Sequence, residues 1–252
     1  MCLILFAWQN HPRYSLVVAA NRDEFHQRPS ADAGYWNDDP NILAGRDLQA
    51  GGTWLGITRT GRFAAITNYR EPAVPEPSLE HSRGHLVRDY LRAHTEPLAH
   101  ARELSRRGSA FRGFNLLLGS AGSLVYMSNR NGEPREISAG SHGLSNHLLD
   151  TDWPKVHAGR ERLAAILQEH ELQTEALFEL LTDKTLTPGE IPEDLGAHLA
   201  PERLMKHYFI VSPIYGTRCS TLLLVDREGG VQFHERQFDP AGGATGTRSF
   251  SF

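Results

Sequence analysis

Cysteine is scarce in this 252-residue chain, which contains only Cys2 and Cys219. Two cysteines cannot form the disulfide framework of a small secreted domain, and so few thiols are typical of a reducing compartment. Long apolar runs are also missing. The apolar start, residues 3–8, is too short to span a membrane and lacks the basic leader and cleavage site of a signal peptide. We therefore expect a cytoplasmic protein without a transmembrane segment.

An excess of charge of one sign is missing too. The net charge is −4, from 26 basic and 30 acidic residues that are interspersed along the chain. Without a basic stripe or a polybasic segment, binding to nucleic acid or to an anionic membrane is not expected. Apolar residues make up 40% of the chain and charged residues 22%. With no repeat and no change of composition, we expect one domain over residues 1–252.

Short apolar runs separated by turn residues, a pattern typical of hairpins, make up most of the chain. They predict strands at 2–8, 14–21, 42–45, 54–58, 62–68, 114–119, 123–129, 135–138, 142–146, 207–211, 219–226 and 231–236. Helical spacing predicts two helix pairs, 81–94 with 98–107 and 155–170 with 174–182. Residues 22–41 and 183–206 are predicted loops, and the Gly-rich end from residue 241 is predicted to be mobile. Because strands and helices do not alternate as in a parallel sheet, we predict an α+β fold of stacked antiparallel sheets covered by helices.

The second residue of the chain is a candidate nucleophile. Cys2 is small enough for Met1 to be removed, which would leave a thiol and a free α-amine on one residue. Their ordinary pKa values, about 8.5 and about 7.7–8.0, allow the amine to act as base for the thiol near neutral pH. This is the arrangement of an N-terminal nucleophile enzyme. The alternative is that Cys2 is a small apolar residue that opens a strand.

A polar segment, Asn21-Arg22-Asp23-Glu24, ends the second predicted strand. In a hairpin, the start of the first strand lies beside the end of the second, so Asn21 and Asp23 are expected close to Cys2. A carboxylate there can accept a hydrogen bond from an α-ammonium, and an amide or an arginine can hold a substrate oxygen. The alternative is an ordinary turn of polar residues.

Seven motifs follow one another along nearly the whole chain. They are Met1-Cys2-Leu3-Ile4, Asn21-Arg22-Asp23-Glu24, Gly45-Arg46-Asp47, Gly51-Gly52-Thr53-Trp54-Leu55-Gly56, Thr67-Asn68-Tyr69-Arg70, Gly143-Leu144-Ser145-Asn146 with Trp153-Pro154-Lys155-Val156, and Tyr215-Gly216-Thr217-Arg218. In this order they resemble the NRDE family, also known as the transport and Golgi organisation protein 2 family. The resemblance implies a four-layer αββα N-terminal-nucleophile hydrolase fold, with two antiparallel sheets between helical layers.

A more distant similarity, to the Cys-type bile-salt hydrolases and penicillin acylases, implies roles for single residues. Cys2 matches their nucleophile, and Asn21 and Asp23 match their Asn-x-Asp. Asn68 resembles the first oxyanion or substrate-orienting position, and Asn146 resembles the second asparagine.

Arg218 resembles the late arginine of those enzymes, which lies near the nucleophile. The chain departs from their pattern at Ala20, where they have an arginine, and its Arg22 directly precedes Asp23. The cation beside the thiol is then expected from Arg218 alone or from an altered geometry. Asn21 and Arg22 are expected to bind substrate.

The resemblance implies a hydrolase or acyltransferase in which Cys2 attacks a small amide or thioester, with no cofactor and no metal required. The alternative, also implied by the family, is a non-catalytic carrier that handles haem, or acyl-CoA and lipid, in the same cleft. In that case the thiolate of Cys2 could ligate haem iron. Both functions predict a small amphipathic ligand with an acyl or carboxylate group.

Overall fold

The structure is a computed structural model that describes residues 2–71, 82–169, 171–183 and 207–252. Met1 and most of the predicted loop 183–206 lie outside this range. The strands are β1 Cys2–Trp8, β2 Tyr14–Phe25, β3 Ser30–Trp36, β4 Asp39–Asp47, β5 Leu55–Thr58, β6 Phe63–Asn68, β7 Phe114–Ser120, β8 Ser123–Ser128, β9 Asn131–Glu136, β10 Gly140–Leu144, β11 Tyr215–Asp226, β12 Val231–Phe238 and β13 Ala244–Ser251. The helices are α1 Gly84–Arg92, α2 Pro97–Ser105, α3 Pro154–Ile166 and α4 Thr174–Thr182.

Two compact units account for these elements. The first unit contains the described residues within 1–28, 139–144 and 150–252, and the second contains those within 29–138 and 145–149. The predicted single domain stays a prediction. None of the helices in the described ranges is long and apolar enough to cross a membrane.

The first unit is a six-stranded antiparallel sheet in the order β10-β1-β2-β11-β12-β13. Side chains alternate between the two faces of a strand, so Leu3, Leu5 and Val17 lie on one face. They join a core with Leu163 of α3 and Phe178 of α4. Since α3 packs on β1, its first turn lies on the helix-covered face of the sheet.

The second unit is a seven-stranded antiparallel meander, β3 to β9 in chain order. Helices α1 and α2 cover one of its faces, where Tyr90 and Leu104 pack with Ile42, Phe114 and Leu116. Two antiparallel sheets and two helix pairs confirm the predicted α+β class.

Three local predictions are wrong. The polar stretch 22–41 contains the end of β2 and all of β3, which pairs with β4 through its backbone although only Ala33 and Trp36 of its residues are buried. Residues 207–211 include the buried Tyr208, Phe209 and Ile210 but are irregular, and a short apolar run does not distinguish an irregular buried segment from a strand. The Gly-rich end forms β13, a strand with several Thr and Ser residues that pairs with β12.

Candidate active site

Cys2 lies at the start of β1, an interior strand of the first sheet. It pairs with Arg22 of β2, which in turn pairs with Cys219 of β11. Because paired residues point to the same face of a sheet, the three side chains form a row across three strands. Both cysteines are free thiols. The expected closeness of residues 21–23 to Cys2 is therefore confirmed by the strand register.

The Cys2 thiol is half-buried, and its surroundings oppose ionisation. Burial raises the pKa of the thiol above its ordinary value, and the nearby Asp23 carboxylate raises it further. A hydrogen bond with the Asp23 backbone and the charge of Arg22 act in the opposite direction without overcoming burial. The thiol is consequently protonated at neutral pH unless another cation or base assists it.

Asp23 is buried, with 5% of its surface exposed. Thr217 of β11 donates a hydrogen bond to its Oδ1 at 2.7 Å, and the Tyr215 hydroxyl donates to its backbone carbonyl at 3.1 Å. Burial raises the pKa of the carboxyl, although Lys155 and Thr217 act to lower it. The carboxylate is thus held in one orientation beside the start of β1.

Lys155, in the first turn of α3, completes this group of ionisable side chains. It is 1% exposed, and within the described part of the chain its Nζ makes no hydrogen bond. Burial lowers the pKa of Lys155 to about 8, while Asp23 and Cys2, which are within electrostatic range, act to raise it. Lys155 belongs to the Trp153-Pro154-Lys155-Val156 motif, but the sequence alone does not predict a role for it. One signal was present, since Lys155 is four residues before Gly159 and eight before Leu163, on the core face of the helix.

Asn21 and Arg22, the expected substrate-binding residues, are both buried. The Asn21 Nδ2 donates to the carbonyls of Leu181 at 2.8 Å and Tyr208 at 2.7 Å, and its Oδ1 accepts from the Ser220 hydroxyl. The amide therefore joins β2 to α4, β11 and the irregular segment before β11. Arg22 lies 3.7 Å from Glu24 in an ion pair. Substrate binding by either residue stays a prediction.

Arg218 belongs to the same unit as Cys2 and lies at a β-bulge between Thr217 and Cys219. Its Nη1 donates to the carbonyls of Phe25 at 3.1 Å and of His26 and Arg28, both at 3.2 Å. These bonds place part of its guanidinium at the end of β2. Its predicted role as the cation beside the thiol stays a prediction.

Asn68 and Asn146, the predicted oxyanion donors, are brought together in the second unit. The Asn146 Nδ2 donates to the Asn68 carbonyl at 2.8 Å, and the Arg70 N–H donates to the Asn146 carbonyl at 2.7 Å. Asn68 is exposed at the end of β6, whereas Asn146 is buried. Their predicted roles in oxyanion stabilisation stay predictions.

The described residues contain no group of three or more His, Cys, Asp or Glu side chains suited to hold a metal ion. Fold and site together define an antiparallel α+β protein whose first strand begins with a thiol beside Arg22 and the buried Asp23. The chain belongs to the Transport and Golgi organisation 2 family, whose profile matches residues 1–240.

Among its relatives, the human Transport and Golgi organization protein 2 homolog is 36% identical over 94% of this chain and 92% of its own length. The mouse homolog gives the same values, and the Drosophila melanogaster protein is 28% identical over 96% and 95%. A Caenorhabditis elegans N-acylethanolamine-hydrolyzing acid amidase ortholog matches with TM-score 0.49 and 12% identity over 88% of this chain and 92% of that chain. Penicillin V acylase from Agrobacterium tumefaciens matches with TM-score 0.48 and 13% identity over 92% and 82%.

Proposed function

We propose that this protein is a Cys-type N-terminal-nucleophile hydrolase or acyltransferase that acts on a small amide or thioester. The observation that supports this proposal is the placement of the Cys2 thiol next to Arg22 and Asp23 at one end of the first sheet, where the Asp23 carboxyl is also within electrostatic range of the buried Lys155 amine. Perturbed ionisable groups that cluster in this way are typical of sites of chemistry. We place the activity in the cytoplasm, which the two free thiols support.

The proposed reaction begins with removal of Met1, which creates an α-amine on Cys2. Asp23 accepts a hydrogen bond from this group and orients it, while the amine takes the proton of the thiol. The sulfur then attacks the acyl carbonyl, and the leaving amine or thiol departs with that proton. Water, or an acceptor molecule in a transferase, attacks the Cys2 thioester and releases the acyl group.

Oxyanion stabilisation in this scheme is assigned to the amides of Asn68 and Asn146 by the resemblance described above. A donor aimed at a developing oxyanion contributes about 3–4 kcal/mol in comparable sites. Replacing Asn68 by Ala is accordingly expected to lower the acylation rate by about 100-fold or more. Asn68 is the better test of the pair because it is exposed, whereas Asn146 is buried and its amide donates to a backbone carbonyl.

The test is covalent labelling of Cys2 by an activated acyl ester. Mass spectrometry of the intact protein detects the adduct, and the amount of leaving group released gives the rate. We expect a stoichiometric burst, with one acyl group on Cys2 and slower hydrolysis afterwards. Cys2→Ala abolishes the adduct, while Cys219→Ala, the matched control, retains it. The same mass measurement reports whether Met1 has been removed. Turnover of the ester by Cys2→Ala at the wild-type rate would eliminate the nucleophile assignment.

A non-catalytic carrier of haem, or of acyl-CoA and lipid, is the second candidate. The observation that weighs against the hydrolase is the raised pKa of the Cys2 thiol, because a protonated thiol is a poor nucleophile. The same protonation weakens sulfur as an iron ligand, so the test must also ask whether Cys2 ligates haem at all. A Soret shift that saturates at one haemin per chain, without an acyl burst, would favour the carrier. Loss of that shift in Cys2→Ala would identify sulfur as the iron ligand.

A further inference from the structure

Each of the two sheets has two edge strands, which present backbone groups that no neighbouring strand of the sheet can pair. The edges are β10 and β13 in the first sheet and β3 and β9 in the second. A long, regular edge strand with little charge is a template for pairing with a further strand. Proteins usually protect such an edge with charges, proline, irregular pairing or side-chain cover. The protection of each edge therefore indicates whether that edge is suited to remain unpaired.

Three of these four edges are protected. In β10, the N–H and carbonyl groups of Gly143 bond to Asp150, and Arg160 donates to the Ser141 carbonyl. Strand β9 contains Pro134, and three of its six residues are charged. The pairing of β3 with β4 is interrupted by two irregularities. Each of these features occupies, removes or misaligns backbone groups that a further strand would need.

The fourth edge, β13, is not protected in any of these ways. Its eight residues, Ala244–Ser251, include one charged residue, Arg248, and no proline, and seven of the eight are exposed. One shift in register lies near its start, between Ala244 and Gly246, and the pairing with β12 is regular from Gly246 to Ser251. Strand β13 is therefore an open and regular edge of the first sheet.

The strand register identifies the backbone groups that this edge presents. Val231 and Phe252 exchange two backbone hydrogen bonds, at 2.7 and 3.1 Å. Because hydrogen-bonded and non-hydrogen-bonded pairs alternate in an antiparallel sheet, every second residue before Phe252 also bonds to β12. The N–H and carbonyl groups of the residues between them, Thr247, Ser249 and Ser251, point outward. Within the described part of the chain, these outward groups have no hydrogen-bond partner.

We propose that the outer edge of β13 pairs with β13 of a second copy of this chain, which forms a two-fold dimer with one continuous sheet. An antiparallel strand pair is compatible with a two-fold axis, so the same surface serves on both chains. A pairing centred on Ser249 sets this residue opposite its own copy, and Thr247 opposite Ser251 of the second copy. Each such pair exchanges two hydrogen bonds through the outward backbone groups.

The side chains of β13 favour this register over its neighbours. A pairing centred on Arg248 would place two like charges directly opposite each other, which is destabilising. A pairing centred on Thr247 would place Arg248 opposite Gly246, which has no side chain to contact. Centred on Ser249, the pairing places Arg248 opposite Phe250 of the second copy, where a guanidinium and an aromatic ring attract each other. The edge is thus complementary to itself, which is why a second copy is its proposed partner.

The first experiment measures the mass of the full chain by analytical ultracentrifugation over a series of concentrations. Wild type is expected to change from the mass of one chain to that of two as its concentration rises. Ser249→Pro removes an outward N–H that β12 does not use, and its ring blocks the approach of a further strand. Since both central hydrogen bonds are lost, association is expected to weaken by at least about tenfold.

Ser249→Ala is the matched control, because it keeps the N–H, and it is expected to dimerise as wild type does. Acyl labelling of Cys2 is expected to be unchanged in Ser249→Pro, since three strands lie between β1 and β13. Dimerisation and the proposed hydrolase activity therefore succeed or fail independently.

Disulfide cross-linking is the second experiment, and it decides the question even if Ser249→Pro does not fold. Residues in a hydrogen-bonded antiparallel pair have Cα atoms about 5.5 Å apart, a separation that a disulfide spans. Ser249→Cys is therefore expected to form a cross-linked dimer on oxidation. Thr247→Cys is the control, because its copy would lie four residues away, about 13 Å along the strands. Wild type, oxidised in parallel, reports any cross-link through Cys2.

Three results would overturn the proposal. The first is a wild-type protein that stays monomeric at every concentration, which would leave the edge unpaired or open to a strand of another protein. The second is Ser249→Pro that folds and dimerises as tightly as wild type. The third is a cross-link through Thr247→Cys without one through Ser249→Cys.

Discussion

At the scale of single residues, Asn21 shows that a residue predicted to bind substrate can instead stabilise the fold. Its amide donates to two carbonyls and accepts from Ser220, all in a buried environment. Asn21→Asp would place a carboxylate oxygen against those carbonyls, and we expect a loss of about 3 kcal/mol or more in the free energy of unfolding. Urea denaturation of the variant and of wild type measures this change in the free energy of unfolding. Ser220→Ala, which removes one donor, should cost only about 1 kcal/mol, and equal stability of Asn21→Asp and wild type would contradict the assignment.

The raised pKa of Asp23 predicts that the stability of the protein depends on pH. Burial raises its folded-state pKa above the ordinary 3.8, so the folded protein binds this proton more tightly than the unfolded chain does. Stability contributed by the protonated carboxyl is present at pH values below 3.8 and is lost as the pH rises through the folded-state pKa. The free energy of unfolding of wild type, relative to Asp23→Asn, should therefore fall between pH 4 and neutrality.

Urea denaturation at several pH values measures this difference. Asp152→Asn provides a matched control, because its carboxyl group is 94% exposed. A difference between wild type and Asp23→Asn that stayed constant, or that grew with pH, would contradict the raised pKa.

The candidate site was predictable where local rules apply. The Cys2–Trp8 and Tyr14–Phe25 hairpin follows from two apolar runs around a turn, and its register alone brings Asp23 to Cys2. Lys155 was not assigned a role because its closeness to Asp23 depends on how α3, which comes much later in the chain, packs on the sheet. Sequence spacing reports that Lys155 is on the core face of a helix, but it does not report which strand end that helix meets.

At the scale of elements, helices and central strands were predicted better than edge strands. Apolar periodicity predicts α4 and β12, which have one buried face. By contrast, β3 and β13 are edge strands of their sheets, and backbone pairing holds them with few buried side chains. Composition alone does not identify such strands, because their polar residues also suit loops.

The approach of α3 to β1 gives a prediction at this scale. Gly159→Val would drive a branched side chain into Leu5, and we expect a loss of about 2–3 kcal/mol in the free energy of unfolding. Gly34→Val is the matched control, because no atom lies within 4 Å of an added Cβ there and β-branched residues suit strands. Equal stability of the two variants would show that the contact at Gly159 is not tight.

At the scale of the whole molecule, the chain path interleaves the two units. It passes from one unit to the other after residues 28, 138, 144 and 149, so neither unit is a single continuous segment. Leu144 ends β10 in the first sheet, and the next residue, Ser145, accepts a hydrogen bond from Thr67 in the second unit. Residues 144 and 145 are consecutive, so at this point the chain passes from one unit to the other without a linker.

This connectivity predicts one cooperative unfolding transition, as expected for a single domain. The four tryptophans make the test direct, because Trp8 and Trp153 belong to the first unit and Trp36 and Trp54 to the second. A Trp36→Phe, Trp54→Phe variant reports on the first unit, and a Trp8→Phe, Trp153→Phe variant reports on the second. In each variant, we expect the fluorescence midpoint in urea to coincide with the midpoint from circular dichroism. Separate midpoints within one variant would mean that the units unfold independently, and the single domain would then have to be described as two.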